Sequence, residues 1–278
     1  MLRLLNIEFH KLRYSRSAKI LTLTYFILIT FIALIASIEF NFGDIQFRVA
    51  DQGIFNFPYI WHFNSYIAAL LKLFLAIVIV SMMSNEYSNR TLKQNLIDGL
   101  SKKEFVLSKF LTVLVFSAVS TVFLFIVSLL LGLSFSDFTE LSIIFSDMEY
   151  LIGYFIKLTA FFAFCMFLGI LVKRSAFALG FLFIWWILES IVYGILKWKI
   201  FRDSDTADQI TRFFPLESIG NLIKEPFTRL NAFQAAANQT GYGFEKDYGI
   251  HWYQLVIVIV WTLVFVYLSY WLLKKRDL

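Results

Sequence analysis

The sequence is poor in the residues that build catalytic and redox sites. Cys165 is the chain's only cysteine, which excludes an intramolecular disulfide and a cysteine-based metal cluster. The three histidines, His10, His62 and His251, are scattered along the chain and cannot form one site. None of the 12 glycines is followed by lysine, so the chain has no G-x-x-x-x-G-K-[ST] phosphate-binding loop. The composition therefore predicts a non-catalytic chain with no cofactor or metal of its own.

Charged residues and prolines are also scarce, whereas apolar residues are abundant. Charged residues make up 16% of the 278 residues, apolar residues make up 59%, and the mean hydropathy is +0.71. The three prolines leave long helices unbroken. Six apolar runs of about 18 residues or more are long enough to cross a bilayer. They are residues 20–38, 66–83, 109–133, 151–172, 176–196 and 255–273. The predicted fold class is an all-α integral membrane protein with six transmembrane helices in a single domain, 1–278.

The connections between these runs alternate in charge. The segment before the first run, the second-to-third and fourth-to-fifth connections and the C-terminus are basic, whereas the first-to-second and third-to-fourth loops are mainly acidic. Short basic loops stay in the cytoplasm, so both termini are predicted to be cytoplasmic. Parity then places the long loop 197–251 on the outer side of the membrane.

The first 19 residues form an amphipathic pattern. Leu2, Leu5, Phe9 and Leu12 recur at helical spacing, with the basic residues mostly off that stripe. The pattern favours a helix lying in the inner headgroup region. A basic leader that only fixes the topology is the alternative, and the two interpretations are compatible.

The connection 84–104 carries the most unusual soluble pattern. Leu92, Leu96 and Ile97 form an apolar side, and Gly99 is a helix stop signal. Ser101 and Glu104 match a capping box that begins the next helix. A short amphipathic helix that projects from a membrane domain needs a partner for its apolar residues, and we expect a soluble cytoplasmic protein to provide it.

These residues resemble the motif of the ABC-2-type permeases, the membrane subunits of many bacterial ABC exporters. The resemblance is carried by Glu86, Thr91-Leu92, Gly99–Lys102 and Lys109, together with the six-span layout. One departure is Arg90, which stands where the family usually has glycine. Among subgroups, the chain looks most like the peptide-antibiotic-resistance (bacitracin-exporter-like) permeases.

The resemblance implies a permease subunit that exports a hydrophobic or amphipathic substrate across the bacterial cytoplasmic (inner) membrane. ATP and Mg²⁺ would be held by two copies of a separate ATP-binding subunit that docks on residues 84–104. A second permease, identical or different, would complete the assembly, and no nucleic acid is involved. The implied docking and coupling residues are Glu86, Arg90, Thr91, Leu92, Leu96, Gly99 and Lys102. The alternative is a solvated loop that carries the motif by chance.

Three ionisable residues lie within the predicted spans. Lys72, Lys157 and Glu189 are each six or seven residues from a predicted outer end, about 10 Å deep. A charge in hydrocarbon costs about 2.5–3.5 kcal/mol on insertion scales, so such residues usually face a cavity or a partner. We expect a polar patch in the outer half of a translocation path, in which a Lys–Glu pair is possible. A structural salt bridge and lysine snorkelling to the interface are the alternatives.

The outer loop contains three predicted short helices, Thr206–Phe214, Pro215–Ile223 and Pro226–Ala237. Pro215 and Pro226 suit first-turn positions. The many apolar residues of this loop predict that it folds back onto the membrane or partly into it. The resemblance to the ABC-2-type permeases, which have re-entrant or lid-like helices here, implies that the segment closes the exit.

Other function classes find less support in the sequence. A gradient-driven transporter or channel usually shows inverted repeats and spans broken by glycine or proline, and neither pattern is visible. An intramembrane enzyme would need paired aspartates, H-E-x-x-H or a Ser/His combination within the spans, and the predicted spans contain none of these. A membrane scaffold without an ATPase partner remains a further alternative.

Overall fold

The structure is a computed structural model that describes residues 2–37, 39–42, 45–48, 53–202, 205–230, 233 and 246–276. Helices dominate it. In chain order they are α1 (Leu2–Tyr14), α2 (Arg16–Ser37), α3 (Tyr59–Leu70), α4 (Lys72–Ser88), α5 (Thr91–Ile97), α6 (Lys102–Phe135), α7 (Leu141–Ile144), α8 (Glu149–Val172), α9 (Ser175–Ile195), α10 (Thr206–Thr211), α11 (Pro215–Gly220) and α12 (Trp252–Lys275). A π-helical turn, Leu196–Ile200, extends α9, and a 3-10 turn forms at Phe227–Arg229.

The helical membrane fold predicted from the sequence is confirmed. Four helical segments are long and apolar enough to cross a membrane, namely Lys102–Phe135, Leu141–Val172, Ser175–Ile200 and Trp252–Lys275. Two bent pairs bring the number to six if each pair is one span. One pair joins α1 to α2 at 90°, and the other joins α3 to α4 at 45°. A right angle between α1 and α2 fits an interfacial helix that leads into a span.

Two stretches differ from the elements predicted for them. The helix of the second span begins at Tyr59 rather than at residue 66, because polar residues that interrupt the apolar run are buried inside the bundle. Asn64, for example, donates from Nδ2 to Ser128 Oγ at 2.9 Å. The segment between α2 and α3, for which no element is predicted, forms an antiparallel hairpin of β1 (Glu39–Phe42) and β2 (Ile45–Arg48), with Glu39 opposite Arg48. Ile38, the last residue of the predicted first span, lies outside the described residues.

Helix α8 is the centre of the bundle. It contacts α3, α4, α6, α9, α11 and α12, and it is buried along most of its length. Gly169 permits the close approach of α8 to α4, since a Cβ atom at this position would lie 2.6 Å from Met83 Cβ. Any movement of α8 therefore involves most of the other spans.

The bundle has two ends with different loops. At the first, which we call the basic end, α1, α5 and the C-terminal end of α12 lie around the ends of α4 and α6. The second, which we call the loop end, contains α10 and α11, and both belong to the loop that the sequence predicts to fold back. Ile219, Leu222 and Ile223 are buried there, and α11 contacts α8, α9 and α12. The third predicted loop helix, Pro226–Ala237, is represented by the 3-10 turn, and residues 231, 232 and 234–237 lie outside the described residues.

Candidate functional site

The short helix α5 at the basic end is bounded by two residues with left-handed backbone. Arg90 precedes it with φ 57°, and Gly99 follows it with φ 95°. Gly99 thus fulfils its predicted role as a helix stop, since glycine adopts this conformation at no steric cost. Ser101 and Glu104 form the predicted capping box and begin α6 two residues later. These turns fix the direction in which α5 leaves α4 and in which α6 enters the bundle.

Four charged side chains form a cluster behind α5, which we call the buried cluster: Glu8, Glu86 and Lys109 are buried, whereas the Lys11 side chain is 35% exposed. Lys109 Nζ lies 2.5 Å from Glu8 Oε2 and 2.5 Å from Glu86 Oε1, and its side chain is fully buried. Lys11 Nζ donates to the same Glu86 Oε1 at 2.8 Å. Two acids and two bases balance in charge, which is the condition under which ions are tolerated away from water. The cluster joins α1, α4 and α6.

Glu86 also holds α5 itself. Its second oxygen, Oε2, accepts hydrogen bonds from Thr91 Oγ1 at 2.5 Å and from Asn95 Nδ2 at 3.4 Å. One carboxylate oxygen therefore binds the lysines and the other binds α5. Through Glu86, the position of α5 is coupled to three other helices.

The structure corrects the expected roles of the apolar residues in α5. Leu92 is 2% exposed and Leu96 is half-buried against the same core, so both pack within the chain rather than projecting from it. Glu86 is likewise buried, at 2% exposure. Periodicity identifies an apolar helix side, but it does not tell whether that side faces inward or outward.

A different set of residues is available to a partner. Ile97 is 70% exposed, and polar residues surround it. We call this surface the outer face of α5; it consists of Arg90, Lys93, Gln94, Ile97, Asp98 and Gly99. Of the residues predicted for docking, Arg90 and Gly99 belong to this face, whereas Thr91 points to Glu86.

Lys102 links this region to the chain's C-terminal helix. Its Nζ donates to Arg276 O at 2.9 Å and to Lys274 O at 3.4 Å, at the end of α12. Arg276 in turn donates from Nη2 to Leu171 O at 3.0 Å and from Nη1 to Ile170 O at 2.5 Å, so it caps α8. Basic groups at helix C-termini are favourable because the last carbonyls lack intrahelical partners. Lys102 thus connects helices and does not lie on the outer face of α5.

The intramembrane charges Lys157 and Glu189 bind opposite ends of α11. Glu189 accepts the backbone N–H groups of Leu216, at 3.2 Å, and Glu217, at 2.9 Å, at the start of this helix. Lys157 Nζ donates to Gly220 O at 2.8 Å and to Ile223 O at 3.4 Å at and beyond its end. An anion at the N-terminus and a cation at the C-terminus both match the helix dipole. The direct Lys–Glu pair that the sequence left possible is not formed, because each residue binds α11 instead.

Lys72 has a separate environment. Its Nζ lies 4.5 Å from the centroid of the Phe161 ring, a cation–π contact between α4 and α8. The structure therefore divides the three intramembrane charges into two that hold the loop helix and one that packs on an aromatic ring.

Aromatic and charged residues attach the rest of the loop to the bundle. His62 is stacked on Tyr150 with ring centroids 4.3 Å apart, and Arg229 Nη1 lies 3.1 Å from His62 Nδ1. Burial alone would raise the pKa of Glu225, but hydrogen bonds from Lys246 and Thr228 outweigh it and leave that pKa lowered. Among the described residues, no group of three or more His, Cys, Asp or Glu side chains is arranged to hold a metal ion.

Glu8 and Lys11 are the site residues that sequence reasoning missed. Glu8 is the one acid in an otherwise basic leader, and this isolation was the available signal. Its partner Lys109 is 101 residues away along the chain, and that separation is invisible to local patterns.

A comparison with protein families gives one match. Residues 32–273 match a family described as ABC-2 family transporter protein, which covers most of the chain and includes α5 and its surroundings. The match is to the family as a whole, and the peptide-antibiotic-resistance subgroup stays a prediction. No curated protein matches the chain.

Proposed function

Because the chain belongs to the ABC-2 family of transporter proteins, we propose that it is the permease of an ABC exporter driven by a separate ATP-binding subunit. The ATP-binding subunit docks on the outer face of α5, on the cytoplasmic side, and holds the ATP and Mg²⁺. The observation that carries the proposal is the division of α5 into two sides: its outer face is exposed, while its inner side is bound to Glu86 and the core.

The buried cluster transmits the movement of α5. Closure of the ATP-binding subunits displaces α5, and the Thr91–Glu86 contact passes this displacement to α4. The Glu86–Lys109–Glu8 contacts pass it on to α6 and α1. Removing one partner from a buried ion pair costs about 3–5 kcal/mol, so the four helices move together and keep their pairs.

At the other end, α11 acts as a lid over the outer exit. Lys157 on α8 and Glu189 on α9 hold its two ends. A change in the distance between α8 and α9 strains these contacts, and release of either end opens the path. The long loop then lies on the outer side of the membrane, as the charge pattern predicts.

A second permease packs on α9, which leaves much of its surface uncovered. Ala178 and Leu182 are its buried residues, whereas Phe177, Phe183 and Trp186 are each more than half exposed. Two permeases, identical or different, and two ATP-binding subunits complete the assembly in the bacterial cytoplasmic membrane. The substrate is hydrophobic or amphipathic, as the resemblance to the exporter permeases implies.

The test separates docking from coupling. The tagged chain is purified from its native membranes in mild detergent as wild type, as Lys93→Glu/Ile97→Asp on the outer face of α5, and as Thr91→Val on its inner side. Lys103→Glu, an exposed change on α6, serves as the control. We expect an ATP-binding subunit to co-purify with the wild type, Thr91→Val and the control, and to be lost from the outer-face variant.

Activity provides the second measurement. In vesicles, Thr91→Val keeps the bound subunit and its ATP hydrolysis, but transport per ATP falls because the Thr91–Glu86 contact is gone. A wild-type preparation without any ATP-binding subunit would instead favour a gradient-driven transporter or a membrane scaffold. Equal co-purification with the outer-face variant would show that the subunit docks elsewhere.

A further inference from the structure

A groove opens on the bundle surface where α1, α2 and α6 meet. Its volume is about 390 Å³, and its walls are almost entirely apolar. Leu12 of α1, Phe26 of α2 and Phe116 and Val119 of α6 line it. Val119 is 51% exposed, so the groove is open towards the surroundings of the bundle. Such a surface suits a flexible apolar chain.

Two basic residues stand at the rim of this groove. Arg13 lies near the end of α1 and Lys19 near the start of α2, on either side of the 90° bend, and both are exposed. Neither side chain has an ion pair within the described parts of the chain. Glu8 and Glu86, the acids of the neighbouring cluster, line a different cavity and are bound by Lys11 and Lys109. The rim is therefore purely positive.

The positions of charge and apolar surface match the cross-section of a bilayer leaflet. The bend sets α1 perpendicular to α2, as an interfacial helix stands to a span, so Arg13 and Lys19 come to lie at headgroup level. Phe26 is seven residues beyond Lys19, about 10 Å deeper at the helical rise. An occupant of this groove has an anionic group at one end and an apolar chain at the other.

We propose that the groove binds an anionic phospholipid of the membrane. Arg13 and Lys19 hold the phosphate and its anionic headgroup, and one acyl chain lies on Leu12, Phe26 and Phe116. A zwitterionic phospholipid fits less well, since its ammonium group would stand near two cations that have no ion pair among the described residues. Basic residues near a membrane surface favour anionic lipids by about 1 kcal/mol each. The proposal depends on the placement of α1 at the interface and not on any ATP-binding partner.

The bound lipid would also affect the buried cluster, because both involve α1. Leu12 lines the groove, and Glu8 and Lys11 of the same helix belong to the buried cluster. Occupancy of the groove therefore fixes the helix that carries two of the four cluster charges. We expect anionic lipid to stabilise the basic end of the bundle.

The test measures lipid retention by native mass spectrometry of the purified chain, with phosphatidylglycerol and phosphatidylcholine of identical acyl chains. Wild type is compared with Arg13→Gln/Lys19→Gln and with the control Lys103→Gln/Lys274→Gln, which removes the same charge from exposed sites at the same end. We expect wild type and control to prefer phosphatidylglycerol. Each base removed from the rim should weaken the binding of phosphatidylglycerol about fivefold.

A second variant tests the apolar half of the site. Val119→Trp fills the groove, leaves both bases in place and lies on an exposed surface, so the fold should tolerate it. We expect it to lose phosphatidylglycerol, while soluble glycerophosphoglycerol fails to bind any variant tightly. The proposal is overturned if the rim variant retains phosphatidylglycerol like the control, if phosphatidylcholine binds wild type equally well, or if Val119→Trp has no effect.

Discussion

Buried and half-buried charges hold both ends of the bundle, but they do so through different partners. At the basic end, Lys109 is bound by two carboxylates, and each charge depends on another charge. At the loop end, Lys157 and Glu189 bind backbone groups of α11. Backbone dipoles are weaker partners than full charges, and α11 is a short helix attached by loops. The comparison shows that ion pairs join several helices to one another at the basic end, whereas two charges hold a single short helix through its backbone at the loop end.

The strongest test of this contrast is Lys109→Met. It removes the buried cation between Glu8 and Glu86 and leaves the partly exposed Lys11 as their only shared base, so we expect a loss of about 3–5 kcal/mol in the free energy of unfolding. Thermal unfolding in detergent measures it, with the exposed Lys103→Met as control. The double variant Glu8→Gln/Lys109→Met restores the balance with Lys11 and should recover part of the loss. Equal melting temperatures for Lys109→Met and Lys103→Met would contradict the role of the cluster.

At the loop end, Glu189→Gln should act locally. The hydrogen bonds from Leu216 and Glu217 lose their charged acceptor, worth about 1.5–3 kcal/mol. Hydrogen exchange at these two amides should become roughly ten- to a hundredfold faster, while the melting temperature changes little. Ser190→Ala, an exposed change on the same helix, is the control. A large drop in melting temperature without faster exchange would remove the distinction between the two ends.

A double-mutant cycle can sharpen the comparison. Lys157→Met and Glu189→Gln release the two ends of one helix, so their effects on α11 exchange should be coupled by about 1 kcal/mol. Lys109→Met and Glu189→Gln act at opposite ends and should add within roughly 0.5 kcal/mol. Strict additivity of the first pair would mean that the two residues do not share α11.

The smallest effect is expected at Arg90, where a non-glycine residue has φ 57°. Arg90→Gly relieves a conformation that costs L-residues about 1–2 kcal/mol, offset by about 0.4–1 kcal/mol of unfolded-chain entropy. We expect a net stabilisation of about 0.5–1 kcal/mol, measured by thermal unfolding. Arg90→Ala also removes the side chain but keeps the strain, so it should give no such gain. Identical stability of the two variants would argue against strain at this turn.

Local patterns predicted much of this architecture. Hydropathy located the four long apolar helices, because twenty apolar residues in a row have few other uses, and two bent helix pairs bring the number to the predicted six if each pair is one span. Gly99 and the Ser101–Glu104 capping box marked the turn between α5 and α6, because their hydrogen bonds close within a few residues. The left-handed backbone at Arg90, in contrast, was not predicted and is known only from the structure.

The contacts that join distant segments could not be predicted in the same way. Lys109 and Glu8 meet across 101 residues, and Glu189 reaches the backbone of Leu216 and Glu217, whose N–H groups carry no sequence signal. The inward orientation of Leu92 likewise depends on the helices around it. Three-dimensional packing supplies this information, and a single sequence does not.

The central position of α8 also bears on which insertions and deletions the chain can accept. In the N-terminal half of this helix, Lys157 donates to the backbone of α11. At its C-terminal end, the carbonyls of Ile170 and Leu171 accept hydrogen bonds from Arg276. One residue inserted between them would rotate one end by about 100° relative to the other. Neither contact could then be kept without losing the other. Both contacts can therefore persist only if the number of residues between Lys157 and Ile170 stays the same.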